Sequence, residues 1–153
     1  MKPCICPSRA GFTLAEVVVV VVLVAILAVM AIPSMESNDD TAVTASSVAA
    51  FLRFAQLKAM SDVDRWGVQV GSTSLVLLDN GTTASKWMPG QESATYNLPE
   101  GVTISAGTGT IEFDFRGRPY VNSSYLSSGS HTITVAGDPN INVTISSVTG
   151  FIP

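Results

Sequence analysis

The chain has 153 residues, 46% of them apolar and 13% charged, and its net charge is −4. This length suits one domain, and the acidic balance disfavours a protein that holds nucleic acid by electrostatic attraction. One histidine and two cysteines are too few for most metal or nucleophile sites, so the composition favours neither an enzyme nor a cofactor-binding or metal-binding protein.

Residues 1–11 form a short basic leader that carries Lys2 and Arg9 and no acid. Basic residues beside a first apolar segment favour keeping that end in the cytoplasm. Cys4 and Cys6 lie in this leader with one residue between them. That spacing, without further cysteine or histidine nearby, does not make a zinc site, and we interpret both thiols as incidental.

The hydrophobicity of the chain is concentrated in residues 12–32, where 19 of 21 residues are apolar. Residues 33–153 contain 47 apolar residues in 121, an ordinary fraction for a globular domain. A helix of 21 residues reaches roughly 30 Å, the thickness of a bilayer core. The sequence therefore predicts a single membrane-spanning segment.

Six consecutive valines, Val17–Val22, give this segment strand propensity, but it exceeds the usual strand length of about ten residues. In lipid an isolated span must form all its backbone hydrogen bonds within itself, so we predict a helix. A cleaved secretory signal is the alternative. Its apolar core is only about 7 to 15 residues long, so a stable anchor fits better.

Glu16 is the one charge in this segment, and a carboxylate in a membrane span costs a few kcal/mol unless it is paired. It is either solvated at the headgroup level or paired with a cation from another copy of the same helix. A pair about 4 Å apart at an effective dielectric near 20 gains roughly 4 kcal/mol, which offsets much of the cost of desolvation.

The run Gly11-Phe12-Thr13-Leu14-Ala15-Glu16, with the apolar segment after it, resembles the prepilin signature of type IV pilins and type II secretion pseudopilins. By that resemblance, a prepilin peptidase cuts between Gly11 and Phe12 and methylates the new Phe12 amine. Glu16 then pairs with the Phe12 amine of a neighbouring subunit during assembly. Pro33 falls where many pilins carry a proline that bends the helix.

The segment from Thr41 to Met60 is predicted to be an amphipathic helix, because its apolar residues recur at helical spacing. This stripe is predicted to be core packed against a sheet, with no chemical role; it comprises Val48, Phe51, Leu52, Ala55 and Ala59. The polar residues 34–40 before it are predicted to form either an exposed helix turn or a short break.

From Trp66 the pattern changes to short strands separated by turns. Asp79-Asn80-Gly81 predicts a hairpin turn, since asparagine and glycine accept positive φ. The predicted strands are Gly67–Gly71, Ser74–Leu78, Ser85–Met88, Val102–Ser105, Thr110–Phe115, His131–Ala136 and Ile141–Ser147. The predicted fold is α+β, with a long N-terminal hydrophobic helix continuing into an amphipathic helix packed on antiparallel β-sheets.

The segment from Ile111 to Pro119 and the strands after it resemble the closing part of H-type pseudopilins and FimT-type minor pilins. Members of that group have a helix packed on two β-sheets and act as low-copy subunits at or near the filament tip. Many major pilins close a C-terminal loop with a disulfide. This chain has no cysteine after Cys6, which favours a minor subunit.

Three polar residues in the domain need an interpretation. His131 begins a strand without a nucleophile elbow elsewhere in the chain, and we interpret it as structural. Arg116 and Arg118 flank Gly117 and suit a turn with a salt bridge. The alternative, phosphate contact in a DNA receptor, is disfavoured because residues 33–153 hold six basic and eleven acidic side chains.

The sequence thus predicts a leader (1–11), a transmembrane assembly helix (12–33) and a periplasmic pilin-like domain (34–153). The predicted function is that of a minor pilin or pseudopilin, in a type II secretion filament or a type IV pilus, including the mannose-sensitive haemagglutinin kind. Its expected partners are prepilin peptidase, other pilin subunits, the inner-membrane assembly platform and membrane lipid. The alternatives are a DNA-receptor minor pilin and a tethered periplasmic binding module.

Overall fold

A computed structural model describes residues 13–31 and 36–153 of the chain. These fall into two compact units, divided between Met35 and Glu36. The leader and its cysteines, the predicted cleavage pair Gly11 and Phe12, and the predicted bend at Pro33 lie outside the described residues.

The first unit contains helix α1, Leu14–Ala31. Its helical backbone confirms that the valine run forms helix, against the strand propensity of its residues. The side chains from Leu14 to Ala28 are all exposed. Within the described residues, no helix meets the length and hydropathy that crossing a membrane requires.

The second unit begins with helix α2, Glu36–Ser61, which contains the predicted amphipathic helix and extends it at both ends. Of the two predictions for residues 34–40, the helix turn is therefore confirmed from Glu36 onward, and the short break is wrong there. All five stripe residues from Val48 to Ala59 are at most 1% exposed, which confirms that this face is core.

Ten strands are described, and all their pairings are antiparallel. They are β1 Trp66–Val70, β2 Ser74–Asp79, β3 Thr82–Thr83, β4 Thr95–Asn97, β5 Thr103–Ala106, β6 Gly109–Phe113, β7 Pro119–Val121, β8 Ser124–Tyr125, β9 Ser130–Ala136 and β10 Ile141–Ser146. One sheet has the order β3-β2-β1-β6-β7-β8, with β4 also paired to β2, and the other has the order β10-β9-β5.

Helix α2 packs on both sheets, contacting β1, β2 and β6 of the larger and β9 and β10 of the smaller. After the first two residues of β1, buried and exposed side chains alternate, which places Val68 and Val70 in the core and Gln69 outside. The same alternation buries Ile133 and Val135 on β9. One core joins the helix to both sheets, and the predicted α+β class with antiparallel sheets is confirmed.

The turn at residues 79–81 is confirmed, since Asn80 and Gly81 have φ of 50° and 77° and Asp79 pairs with Thr82. The predicted strand Ser85–Met88 is wrong. Strands β3 and β4 both pair with the same edge of β2, so the chain between them loops away from the sheet.

Four strands were not predicted: β3, β4, β7 and β8. Each has only two or three residues, too few to show the alternation that identifies a strand. Strands β7 and β8 form a hairpin whose turn places Asn122 and Ser123 at φ of 48° and 66°.

Candidate functional site

The start of α1 is held by Thr13, which lies just before the helix. Its hydroxyl oxygen accepts a hydrogen bond from the Glu16 backbone N–H at 3.3 Å, and its carbonyl accepts from Glu16 and Val17. Thr13 is thus the N-cap, and the Thr-x-x-Glu spacing is that of a capping box. Glu16 therefore lies in the first turn, at the positive end of the helix dipole.

The Glu16 side chain is exposed, as are the apolar side chains around it. The valines from Val17 to Val22 are each 51–61% exposed, so the helix is apolar on every side. A helix of this kind normally lies within a larger apolar environment. Helix α1 has no basic residue, so the cation that the sequence predicts for Glu16 has to come from outside α1.

A second polar site lies in the turn after β6, where Asp114 organises the loop that the sequence identified. Its Oδ1 accepts from the backbone N–H of Arg116 at 2.9 Å and of Arg118 at 3.0 Å. Its Oδ2 forms an ion pair of 2.7 Å with the Arg118 guanidinium. Gly117 has φ of 75°, which glycine adopts without strain.

Two opposing effects act on the Asp114 carboxyl. Burial raises its pKa, whereas the hydrogen bonds from Arg118 and Arg116 and the charge of Arg118 lower it, and the net pKa lies below its ordinary value. The carboxylate therefore contributes stability as the charged form. The interpretation of this segment as a turn with a salt bridge is confirmed.

The two arginines differ in what they contact. The Arg118 guanidinium is bound to Asp114 and lies 5.3 Å from the centre of the Tyr125 ring. Arg116 is exposed and lies 5.1 Å from the centre of the Phe115 ring. Only one of the two is thus open to a ligand, and a single cation supplies little of the phosphate affinity that DNA binding needs.

Two side chains of α2 that the sequence gave no reason to select hold the C-terminal segment. The Gln56 amide donates to the carbonyls of Gly117, Thr149 and Gly150 at 2.9–3.1 Å. Arg53 donates to the carbonyl of Ile152 and also contacts Pro153. These hydrogen bonds attach the helix to the turn that contains Gly117 and to the C-terminal residues 149–153.

His131 is half-buried at the beginning of β9, as a structural residue would be. Its Nε2 lies 3.1 Å from the carbonyl oxygen of Gly107, the geometry of a ring N–H that donates to it. Across residues 13–31 and 36–153, no group of three or more histidine, cysteine or acidic side chains is arranged to hold a metal ion.

Comparison with known families identifies the N-terminal part of the chain. The prokaryotic N-terminal methylation motif matches residues 6–32. The chain carries the signature of type IV pilins and pseudopilins. The motif spans the predicted cleavage pair, Glu16 and α1. No curated protein and no solved structure gives a significant match to the chain.

Replacing Asp114 with asparagine is expected to lower the free energy of unfolding by about 1–3 kcal/mol near neutral pH, because the Arg118 charge loses its partner. The pKa of Asp114 is lower in the folded protein than its ordinary 3.8. Its contribution is therefore complete above that pH and is lost as the pH falls through the folded pKa.

The measurement is urea unfolding of the full-length chain in detergent, followed by tryptophan fluorescence between about pH 7 and about pH 2. The difference between parent and Asp114→Asn should shrink in the acidic part of this range. The exposed Asp64→Asn is the matched control and should change little. A difference that is the same at every pH would contradict this assignment.

Proposed function

We propose that the chain is a minor pilin or pseudopilin, a subunit of a type IV pilus or a type II secretion filament that is built through its N-terminal helix. The observation that carries the proposal is the match of residues 6–32 to the methylation motif, over a helix that is apolar on every side. The single charge of that helix is Glu16, in its first turn.

Before assembly, the proposed location is the inner membrane, with residues 1–11 in the cytoplasm and residues 34–153 in the periplasm. Lys2 and Arg9 support this orientation, because basic residues next to a span stay on the cytoplasmic side. The span is proposed to be residues 12–33. Lipid is then the first environment to cover the exposed valines of α1.

Prepilin peptidase is the proposed processing enzyme, cutting between Gly11 and Phe12. Glycine at the cut presents no side chain that would keep the backbone out of a protease active site. The cut removes Lys2, Arg9 and both cysteines. It also creates a new amine at Phe12, four residues before Glu16, which is about one helical turn.

The Phe12 amine is the proposed cation for Glu16 of the next subunit. Amine and carboxylate lie about one turn apart along each helix, so two helices offset by about that distance bring them to the same depth. The ion pair then removes the main cost of keeping Glu16 in an apolar surrounding and sets the register between helices.

The proposed work of the protein is assembly and interaction, not catalysis. Two side chains that could serve chemistry have structural partners: Arg118 binds Asp114, and His131 contacts the Gly107 carbonyl. Besides prepilin peptidase, the proposed partners are other pilin subunits and the inner-membrane assembly platform. Neighbouring genes separate the two filament types, since secretion genes favour one and pilus biogenesis genes favour the other.

The processing proposal predicts a mature protein that begins at Phe12 with one added methyl group. Intact-mass and N-terminal peptide mass spectrometry of the protein from its native membrane checks this. Gly11→Val should leave the leader attached, whereas Ser8→Val, three residues upstream, is the control and should be processed normally. Any other mature N-terminus would contradict the proposal.

The assembly proposal predicts that Glu16→Ala is still processed but is at least about tenfold depleted from filaments, because losing an ion pair in an apolar environment costs more than 1.4 kcal/mol. Quantitative immunoblotting of sheared filaments against membranes measures the ratio. Glu92→Ala, an exposed acid of the domain, is the control. Normal incorporation of Glu16→Ala would rule out its role.

A further inference from the structure

The edges of the two sheets differ in how they are protected. A free strand edge offers unpaired N–H and C=O groups to other chains, and proteins protect it with short strands, bulges, charges or proline. In the larger sheet the edge strands are β3, β4 and β8, which have only two or three residues. In the smaller sheet, edge strand β5 has a register shift between Ile104 and Ala106, and the Ile104 N–H donates to the Ser72 carbonyl. Each of these edges is therefore short or already covered.

Strand β10 is the other edge of the smaller sheet, and it has none of these protections. Its six residues, Ile141–Ser146, pair with β9 in unbroken register and include no charged residue, proline or glycine. Isoleucine, valine and threonine give it high strand propensity. A straight, uncharged edge of this length is a surface on which another strand can pair.

The free backbone groups of β10 belong to Asn142 and Thr144. The Ser147 N–H donates on the β9 side, whereas the Ser146 N–H donates to the Phe151 carbonyl at 2.9 Å, on the side away from β9. Successive residues of a strand direct their backbone groups to opposite sides, so Asn142 and Thr144 point the same way as Ser146. In the described part of the chain, no backbone group bonds to either residue on that side.

A recess lies beside this edge, between β10 and α2, and has a volume of about 330 Å³. Small side chains of the helix and the inward side chains of the strand line it. They include Ala42, Ala45 and Ala49 of α2 and Ile141 and Val143 of β10. Because alanine is short, the flank of α2 leaves room there for a side chain from another chain.

Contacts at both ends hold α2 and β10 in this arrangement. Gly137, four residues before β10, lies so close to Thr41 that a Cβ at position 137 would collide with the Thr41 side chain. At the other end, Arg53 donates to the carbonyl of Ile152, whose side chain is buried in the core. The edge and the recess are therefore formed before a partner binds, which lowers the cost of binding.

The geometry selects the chemistry of the partner. Side chains of a strand alternate between two faces, so a strand added to β10 directs every second side chain toward the recess. The one charged residue of the recess wall is Arg53, and its guanidinium already contacts the carbonyls of Ile152 and Pro153. The site thus suits an extended, uncharged segment with an apolar residue at every second position.

The contact is too small to hold a free peptide. Two edge residues offer four backbone groups, and the recess has room for one or two side chains, whereas stable complexes bury much larger surfaces. A partner that is already anchored beside the chain has a high effective concentration, which compensates for a small interface. A neighbouring subunit of a filament is such a partner. One edge accepts one strand, so the contact requires no second copy of this chain.

We propose that an extended segment of a different pilin-type subunit adds a strand to β10. Its backbone pairs with Asn142 and Thr144, and its apolar side chains enter the recess beside α2. The proposal rests on the proposed function, because the filament supplies the neighbouring subunit.

Hydrogen–deuterium exchange at single-residue resolution tests this pairing without any substitution. The full-length chain is measured in its native fraction, which contains membranes and filaments, and again after purification in detergent. The Asn142 and Thr144 amides should exchange at least about tenfold more slowly in the native fraction, because the added strand accepts their hydrogen bonds. The Val143 and Ile145 amides, which face β9, are internal controls and should be slow in both samples. Equal exchange of Asn142 and Thr144 in the two samples would overturn the proposal.

Photo-cross-linking identifies the partner. Benzoylphenylalanine is placed at position 144 of the full-length chain in its native cells, and the linked peptides are sequenced by mass spectrometry. The expected product is a peptide of a different pilin-type subunit with apolar residues at every second position. Position 103, exposed on β5 of the same sheet, is the control and should not give this product. A cross-link to a second copy of this chain, or none to any subunit, would contradict the choice of partner.

A proline at the free edge tests whether the pairing matters for assembly. Thr144→Pro removes an N–H that points away from β9, so the pairing of β10 with β9 is retained. It is expected to lower the share of the chain in sheared filaments about threefold to tenfold relative to Thr144→Val, the matched control. Equal incorporation of the two variants would count against the proposal. Circular dichroism of the purified variants checks folding, and if Thr144→Pro is unfolded, the exchange measurement on the parent chain decides.

Mass spectrometry of the N-terminus in the native fraction separates this proposal from the proposed function. A chain that begins at methylated Phe12 but has unprotected Asn142 and Thr144 amides would overturn the edge contact and leave the proposed function standing. Protected amides in a chain that keeps its leader would support the contact and contradict the proposed function.

Discussion

Burial of one face of α2 is the contact on which the rest of the domain depends. The helix packs on strands of both sheets, so the two sheets share a single core. Alanines at positions 45, 49, 55 and 59 leave room for the strands to approach the helix, while Phe51 and Leu52 fill the space between. Each large buried side chain contributes about 1.5–3 kcal/mol, so this face as a whole outweighs the Asp114–Arg118 ion pair.

The apolar surface of α1 also has to be covered, and this requirement connects the helix to its proposed function. Its apolar side chains are exposed on every side, so a lipid or protein environment has to cover them. Glu16 is the one charge in that surface, and it lies in the first turn of α1, where a helix dipole stabilises a negative side chain in general by only about 0.3–1 kcal/mol. That gain is small beside the cost of an unpaired charge in lipid, which is why a partner amine is central to the proposal.

The helices were predictable because their signals are local and long. The valine run of α1 and the stripe from Val48 to Ala59 each extend over several turns, so neither depended on distant contacts. The Thr13 cap was not predicted, although the Thr-x-x-Glu spacing of a capping box is a local signal for it.

Short strands and distant hydrogen bonds were not predictable in this way. Strands of two or three residues, such as Thr82–Thr83, exist because a neighbouring edge of β2 accepts them, not because of their own pattern. The role of Gln56 depends on carbonyls at least 61 residues away along the chain. The Asp114 turn lies between these cases, because its residues are local and its salt bridge was expected from Arg116, Gly117 and Arg118.

The central claim is that the Phe12 amine of one subunit pairs with Glu16 of the next, and zero-length cross-linking tests it most directly. Filaments assembled from mixed isotope-labelled and unlabelled chains are treated with a carbodiimide, and the linked peptides are analysed by mass spectrometry. The account predicts an amide that joins the Glu16 carboxyl to the N-terminal nitrogen of a neighbouring subunit, which is either a differently labelled copy of this chain or another pilin. An amide found only within single chains, or Glu16 linked to a lysine of another subunit, would contradict it.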